Sequence, residues 1–332
     1  MGVCCNTKVD FDEKEHYIPI SKPPETIGES PSPDQRNDIN LICDLSIKQE
    51  EAFKYELEKL EIINEAVKRT YETKKPYEYK KLPDDGIKRV LKPPNEDDGK
   101  IYYGFWNQET GEKEGNGVMI FEDGSRYDGE WKHNQFNGKG RHIHSDGDVY
   151  EGGFVNGKYE GKGKYIRSDG SYYVGLWVDD KQSGEGIEVW ADGTTYKGTH
   201  KNGMKHGKGK LISPDGSEYE GELYEDVIQG KGKFKWPDGK SYEGEWKDNK
   251  MDGTGVYIWP DGKKYVGDFV ENKKKGNGVL EWPDGRKYEG EWKDGKQNGV
   301  GRYTTEKGAT RLGEWKDGKK IRWLDKSTIA VQ

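Results

Sequence analysis

The sequence repeats itself with a fixed period of twenty-three positions. A Tyr-x-Gly motif, followed in most copies by x-Trp or x-Phe, begins at Tyr102, Tyr127, Tyr150, Tyr173, Tyr196, Tyr219, Tyr242, Tyr265 and Tyr288. Only the first interval is slightly longer than the others, and a partial tenth copy begins in phase at Arg311. A fixed period without insertions is typical of a repeat architecture, in which each unit packs mainly against its neighbours.

Each repeat reads as a β-hairpin. In the copy that starts at Tyr242, the residues Tyr242, Gly244 and Trp246 are two apart and therefore share one face of a strand, while the intervening glutamates face the other way. Residues 253–259 alternate glycine and aromatic side chains in the same manner and predict a second strand. The repeat thus predicts antiparallel strands with one face made of glycine and aromatic residues.

Two connections join these strands. The sequence Pro-Asp-Gly at 260–262 predicts a tight turn, because proline presets φ and glycine accepts a positive φ. A looser polar connection is expected at 247–252, leading into the next strand.

The glycines inside the predicted strands require an explanation, since glycine weakens a strand unless a neighbour needs the space. We expect an aromatic ring from an adjacent strand to lie over Gly253 and Gly255. A core of rings on bare backbone also explains how a chain with 30% hydrophobic residues, 47 glycines and 11 tryptophans folds.

The unit Tyr-x-Gly-x-Trp, Gly-x-Gly-x-x-x-Trp, Asp-Gly resembles the MORN repeat, named for membrane occupation and recognition nexus. The resemblance covers residues 102–323. It implies a mostly β fold, an elongated single-layer antiparallel sheet of about nine and a half hairpins, preceded by a disordered tail and one amphipathic helix. His200 and Leu223 replace the tryptophan of the fifth and sixth units, where we expect a thinner or more bent zone.

The segment before the repeats divides into three parts. Residues 1–44 are rich in proline and charge and predict a disordered tail. Residues 45–75 predict an amphipathic helix, and residues 76–101 a linker; residues 324–332 form a short C-terminal tail. The apolar stripe of the helix is predicted to dock either on the repeat sheet or on another chain, through Phe53, Leu57, Leu60, Ile63 and Val67.

The first residues resemble a lipidation signal. Gly2 after Met1 is placed for myristoylation, and Cys4 and Cys5 are placed for palmitoylation. Asn6 stands where the myristoylation signal has serine or threonine, so a tail with incidental thiols is the alternative. Two acyl signals together would give stable membrane attachment.

We find no residues arranged for catalysis. The Gly-x-Gly strings lie inside strands rather than at a strand-to-helix turn, as a nucleotide site would require. His142 and His144 share a strand face but lack a third ligand, so no metal or cofactor is predicted. A basic cluster at Lys273, Lys274 and Lys275, placed in an inter-hairpin loop, is a candidate for lipid headgroups, although acidic residues are interleaved nearby.

The sequence therefore predicts a non-enzymatic scaffold for helical or extended segments of protein partners, with neither nucleic acid nor a small-molecule substrate. Stand-alone MORN arrays imply an intracellular address, in a ciliary or flagellar axoneme or on the cytoplasmic face of a membrane. The alternatives are an acylated membrane tether that binds anionic lipids and an accessory subunit that positions a partner enzyme. The candidate partner-binding residues are Trp131, Trp177, Trp246, Tyr257, Trp259 and Trp292.

Overall fold

The computed structural model describes residues 49, 51–53, 57, 60–62 and 64–324. Contacts divide the chain into Met1–Ala52 and Phe53–Gln332. In the first unit the described residues 49, 51 and 52 are helical. The predicted lipidation residues Gly2, Cys4 and Cys5 lie outside the described residues. All the strands described below belong to the second unit.

The second unit is built on one antiparallel sheet preceded by the helix α1 (Glu65–Thr73). The strands are β1 (Arg89–Asp97), β2 (Lys100–Asn107), β3 (Lys113–Ile120), β4 (Arg126–Lys132), β5 (Gln135–Ile143), β6 (Val149–Val155), β7 (Lys158–Ile166), β8 (Tyr172–Val178), β9 (Lys181–Val189), β10 (Thr195–Lys201), β11 (Met204–Ile212), β12 (Glu218–Tyr224), β13 (Val227–Lys235), β14 (Ser241–Lys247), β15 (Lys250–Ile258), β16 (Lys264–Val270), β17 (Lys273–Glu281), β18 (Lys287–Lys293), β19 (Lys296–Thr304), β20 (Thr310–Lys316) and β21 (Lys319–Trp323).

Each strand pairs antiparallel with the next one along the chain, from the β1–β2 pair to the β20–β21 pair. The sheet is open and contains 21 strands, which confirms the predicted array of hairpins. The strand that precedes the first repeat, β1, was not predicted; it belongs to the expected linker 76–101 and pairs with β2.

The Pro-Asp-Gly turn forms as predicted. The Gly262 amide donates to the Trp259 carbonyl at 2.9 Å, and Gly262 has a φ of 84°. The Asp261 carboxylate accepts from the Lys263 amide at 3.0 Å. These contacts describe a three-residue hairpin loop whose last residue adopts the left-handed conformation that glycine favours.

The second connection differs from the prediction. Lys247 pairs with Lys250 in the ladder, so only Asp248 and Asn249 form the loop, with φ values of 50° and 63°. Two positive φ angles identify a type I′ turn, whose twist suits a tight hairpin. The expectation of a looser connection over 247–252 is therefore wrong.

A hydrogen-bond pair fastens this turn to the preceding repeat. The Asn249 amide donates to the Ile228 carbonyl at 3.1 Å, and the Asn249 side-chain oxygen accepts from the Ile228 amide at 2.8 Å. The same pair recurs one repeat later between Asn272 and Met251. Each turn thus holds its neighbour in register, as expected of a sheet stabilised by contacts between adjacent units.

The tyrosine of each repeat packs on the paired glycines of its own hairpin. Tyr242 is fully buried, and a Cβ added to Gly255 would overlap its ring. The Tyr242 hydroxyl donates to the Glu245 carbonyl at 2.9 Å. The predicted ring on Gly255 is confirmed.

Gly253 serves a different purpose from the one predicted. The ladder shifts register between the Gly244–Gly255 and Trp246–Met251 pairs, which places Gly253 in a β-bulge with a φ of 98°. A Cβ there would meet the Glu245 side chain rather than an aromatic ring. Gly253 is required by its backbone conformation, so the prediction of a ring over it is wrong.

The predicted helix 45–75 is divided in two. Gln49, residues 51–53 and Leu57 are helical, whereas residues 60–62 and Asn64 are not. Asn64 begins α1 anew, because its side-chain oxygen accepts from the amides of Ala66 and Val67 at 2.9 and 3.2 Å. The amide group of Asn64 donates in turn to two sheet carbonyls, those of Asp123 and Ser145.

The apolar stripe of these helical segments packs on the sheet. Phe53 is buried against the rings of Tyr103 and Phe105, with centroids 5.2 and 5.7 Å apart. Leu57 and Leu60 pack partly against that cluster. Val67 is fully buried against Ile143 and Val149. Of the two predicted uses of the stripe, the structure shows docking on the sheet for these residues; Ile63 lies outside the described residues.

Candidate functional site

The sheet has two unlike faces. We call the face that carries Tyr242, Gly244 and Trp246 the aromatic face, and the face that carries Glu243 and Glu245 the polar face. Buried aromatic rings from successive repeats contact one another along the aromatic face. Within the second unit, Phe53, Leu57, Leu60 and α1 lie on the polar face of the first repeats.

Four of the predicted partner-binding tryptophans are core residues. Trp131, Trp177, Trp246 and Trp292 are buried, with Trp246 only 7% exposed. Each indole N–H donates to a glycine carbonyl in the preceding strand, as Trp246 does to Gly232 at 3.0 Å. Their prediction as a partner surface is wrong, because these rings are buried within the aromatic face itself and leave little area for a partner to contact.

The remaining two predicted residues are accessible. Tyr257 and Trp259 are half-buried, and their ring centroids lie 4.5 Å apart. Trp236 of the previous repeat lies 5.6 Å from Tyr257. Other half-buried rings of the same cluster extend this series, which we call the aromatic row and which consists of Trp190, Trp236, Tyr257, Trp259, Trp282, Tyr303 and Trp323.

The sequence carried a signal for the members of the aromatic row that were missed. Trp236, Trp259 and Trp282 stand at the same place in three successive repeats, and each directly precedes a Pro-Asp-Gly turn. A residue next to a turn sits at the margin of the sheet, where one side of its ring stays open to solvent. Position within the repeat therefore distinguishes the buried tryptophans from the half-buried ones, which residue type alone does not.

The predicted lipid-headgroup lysines do not form one patch. They lie on strand β17 rather than in a loop. Lys274 is tucked into the aromatic face, with its Nζ 4.9 Å from the Trp259 ring, 5.3 Å from Tyr265 and 4.7 Å from Trp292. Burial, and then the charge of Lys263, lowers the pKa of Lys274 to about 8. Lys273 and Lys275 are exposed.

His142, His144 and His200 pack against other rings of the sheet. His142 and His144 lie with ring centroids 4.1 Å apart, and burial lowers the pKa of both, that of His142 to about 4. His144 Nε2 is 2.7 Å from the Tyr159 hydroxyl. His200, at the place of a repeat tryptophan, is 4% exposed and packs between Tyr173 and Tyr196.

One group of possible metal ligands exists in the described part of the chain. Ligand atoms of Glu112, Glu114 and His133 lie within 4.8 Å of one another. His133 Nδ1 is 2.9 Å from a Glu112 oxygen, and the buried Glu114 lies 3.6 Å from an Arg89 nitrogen. Ion pairs and hydrogen bonds within the protein thus already account for these side chains. Among the described residues, no helix is both long and apolar enough to cross a membrane.

The MORN repeat model matches nine successive segments, which together run from 111–126 to 288–310. The chain belongs to the MORN-repeat family. Membership identifies it as a repeat protein of the interaction-scaffold type. No curated protein sequence matches this MORN protein at a significant level.

Solved structures give distant likenesses to this MORN protein. The TCP10 domain of Danio rerio CPAP is 15% identical, with 62% of this chain and 98% of that chain covered and a TM-score of 0.25. The SAS-4 (dCPAP) TCP domain of Drosophila melanogaster, in complex with a proline-rich motif of Ana2 (dSTIL), is 14% identical, covers 66% and 99%, and has a TM-score of 0.20. Virginiamycin B lyase from Staphylococcus aureus is 17% identical, covers 53% and 54%, and has a TM-score of 0.13. Such low scores support no inference about function.

Proposed function

We propose that this MORN protein is a non-catalytic scaffold that holds protein segments along its aromatic row. The observation that carries the proposal is the row itself, in which half-buried rings recur from one repeat to the next instead of converging on one pocket. Large, rigid rings with one open side supply contact area at a low cost in side-chain entropy. A surface of this kind suits an extended partner that contacts several repeats in succession.

The spacing of the row favours a segment in the polyproline II conformation. Each repeat adds two strands, so equivalent rings are separated by roughly 9.6 Å along the sheet. Three residues of polyproline II advance by about 9.3 Å. A segment with proline or an aliphatic residue at every third position would therefore place one such side chain against each ring, as aromatic grooves do for proline-rich ligands.

Charges beside the row add a preference. Lys263 and Lys274 both lie over the Trp259 ring, at 4.7 and 4.9 Å. Acidic residues between the apolar positions of the partner would complement these ammonium groups. The proposed partner segment is thus extended, apolar at a period of three, and acidic in between.

We propose the cellular address on the basis of the family resemblance. Stand-alone arrays of this type point to a ciliary or flagellar axoneme or to the cytoplasmic face of a membrane, and acylation of Gly2, Cys4 and Cys5 would favour the second. The alternatives are a membrane tether and a subunit that positions a partner enzyme. Replacing Gly2 with Ala discriminates among them, because a tether would move to the soluble fraction while an axonemal scaffold would stay in place.

The scaffold proposal is tested by removing rings from the row. The double variant Trp236→Ser and Trp259→Ser, immobilised and exposed to extract from the source cells, should lose the proteins that the wild type captures. Ile258→Ser is the matched control, because Ile258 is a neighbouring exposed apolar residue on the polar face. Hydrogen exchange confirms that both variants keep the sheet. If the double variant retains the same captured proteins, the aromatic row is not the binding surface.

A further inference from the structure

The apolar row that α1 covers on the polar face continues beyond the helix. Val67 of α1 packs on Ile143 and Val149, which pair with each other across strands β5 and β6. Val149 pairs next with Ile166 on β7. The described helix α1 buries the first two members of this row, whereas Ile166 is only partly buried.

The row extends in register over two further strands. Ile166 pairs with Tyr172 on β8, and Tyr172 pairs with Val189 on β9. Beside them on β8 stand three exposed aliphatic side chains, Val174 at 40%, Leu176 at 40% and Val178 at 48%. We call Ile166, Tyr172, Val174, Leu176, Ile187 and Val189 the β8 patch.

The β8 patch departs from most of the repeats, and Leu176 distinguishes it from β16, where Asp268 stands between Val266 and Val270. The positions of Val174 and Leu176 are occupied by Glu220 and Glu222 in β12, two repeats later. Glutamates also stand at these positions in β14, as noted above for the polar face. A solvated face has no need of three adjacent aliphatic residues, so the β8 patch is a feature of this repeat rather than of the fold.

The rim of the patch is basic. Lys164 pairs with Val174 from one side, and Lys197 pairs with Ile187 from the other, while Lys162 stands opposite Leu176. Within residues 64–324, none of the three lysines has a carboxylate at ion-pair distance. Two carboxylates lie nearby: Glu151 pairs in register with Lys164 but is bonded to Arg141 at 2.6 Å, and Glu185 stands on the same strand as Ile187. The charge beside the patch is therefore net positive and open to an acidic partner.

We propose that the β8 patch binds an amphipathic α-helix of another protein, which lies beside α1 and carries aliphatic residues on one stripe with acidic residues along its flanks. The proposal rests on the proposed scaffold function and assigns a second surface to it. The chain itself shows that this face accepts a helix, since Val67 docks on the same row. The centre of the patch is two strands beyond that contact, or roughly 9.6 Å, and helices pack side by side at about 8–10 Å.

The test begins with a displayed library of random peptides, each long enough for several helical turns, from which those that bind the full-length protein are selected. Peptides that also bind the double variant Val174→Ser and Leu176→Ser are removed by counter-selection. We expect the enriched peptides to have aliphatic residues at positions i, i+3 or i+4, and i+7, together with Asp or Glu, and to become helical on binding. Their affinity should fall at least tenfold in the double variant, because two side chains lose their apolar contact.

Charge and surface controls complete the experiment. Reversal of the rim in Lys164→Glu and Lys197→Glu should weaken the same peptides about tenfold. The double variant Val266→Ser and Val270→Ser removes equally exposed aliphatic residues from β16 and should leave binding unchanged. Apart from the half-buried Lys164, the changed side chains are exposed, and thermal unfolding checks that each variant is folded.

Three results would overturn the proposal. The first is that no peptide depends on Val174 and Leu176; the second is that the enriched peptides are basic or extended; the third is that the protein self-associates through the patch, as shown by a dimer in sedimentation that Leu176→Ser abolishes. Failure of the scaffold proposal is distinguished by Trp236→Ser and Trp259→Ser, which should leave binding of the helical peptides intact.

Discussion

Replacement of Gly255 with alanine should disrupt the central feature of the repeat. The Cβ of the new residue would overlap Cε2, Cζ and the hydroxyl oxygen of Tyr242, which is fully buried and donates its hydroxyl hydrogen to the Glu245 carbonyl. Tyr242 also lies close to the facing Gly244, where a Cβ would come within 2.6 Å of the Tyr242 hydroxyl oxygen. The strands or the ring must therefore shift.

The expected cost follows from these contacts. Insertion of one methyl group into a tightly packed core typically costs about 1–3 kcal/mol. If the ring moves, the Tyr242 hydroxyl bond is also weakened, which adds about 0.5–1.5 kcal/mol. We therefore expect Gly255→Ala to destabilise the array by roughly 2–4 kcal/mol. Thr254→Ala is the control: Thr254 is exposed, its hydroxyl bonds to the carboxylate of the half-buried Glu245, and its loss should cost less than about 0.5 kcal/mol.

Thermal unfolding and hydrogen exchange measure the effect. Exchange should rise first in β14, β15 and β16, because each repeat depends on its neighbours. A double-mutant cycle with Tyr242→Leu isolates the cause, since removal of the ring should reduce the penalty of Gly255→Ala by more than about 1 kcal/mol. If Gly255→Ala and Thr254→Ala unfold alike, or if the two changes at 242 and 255 are additive, the account of rings packed on paired glycines is refuted.

Three further changes test other parts of the structure. Burial lowers the pKa of His142 in the folded state to about 4, below its ordinary 6.5. Between these pH values the unfolded chain binds more protons, so stability should fall as the pH drops from 6.5 to 4, by on the order of 3 kcal/mol. His142→Phe should flatten that part of the pH profile of stability. Asn249→Ala should cost about 1–2 kcal/mol by forcing a positive φ on alanine and removing the bond to Ile228, and Asn249→Gly should recover part of the loss in urea unfolding. Val67→Asp should free α1 from Ile143 and Val149, which hydrogen exchange would report as loss of protection in α1 while β14–β21 remain protected.

The repeat spacing was sufficient to predict the main elements of the fold. The constant period and the Pro-Asp-Gly turns specify antiparallel hairpins, and alternation correctly put Gly255 on the same face as Tyr257. The two-residue type I′ turns were also encoded, since Asp248-Asn249, Glu271-Asn272 and Asp294-Gly295 recur at that period. Residues of these types accept positive φ and mark tight hairpins, so the repeat itself contained the signal for them.

Other features depended on contacts that alternation does not report. Alternation assigns Trp246 and Trp259 to the same face, but it does not show that Trp246 is sealed by Tyr219 and Tyr242 while Trp259 stands at the margin. The bulge at Gly253 turns that position toward the Glu245 side chain, and its signal is a single glycine. The break before α1 depends on Asn64, whose side chain bonds to two turns of a sheet that lies far along the sequence.

Substitutions on the two faces have unequal consequences for the core, and this difference indicates where partner binding can evolve. On the aromatic face, Tyr242 and the eight equivalent tyrosines are all buried, so a substitution at these positions would break the ring-on-glycine packing. A substitution that created a new partner contact at these positions would destabilise the folded sheet. The polar face carries no such requirement, and it is there that the repeats differ, with Glu243 and Glu245 in β14 but Val174 and Leu176 in β8. A scaffold built this way can acquire partners repeat by repeat on the polar face and at the margin of the aromatic face without disturbing the core, so specificity should be sought where a repeat departs from its neighbours.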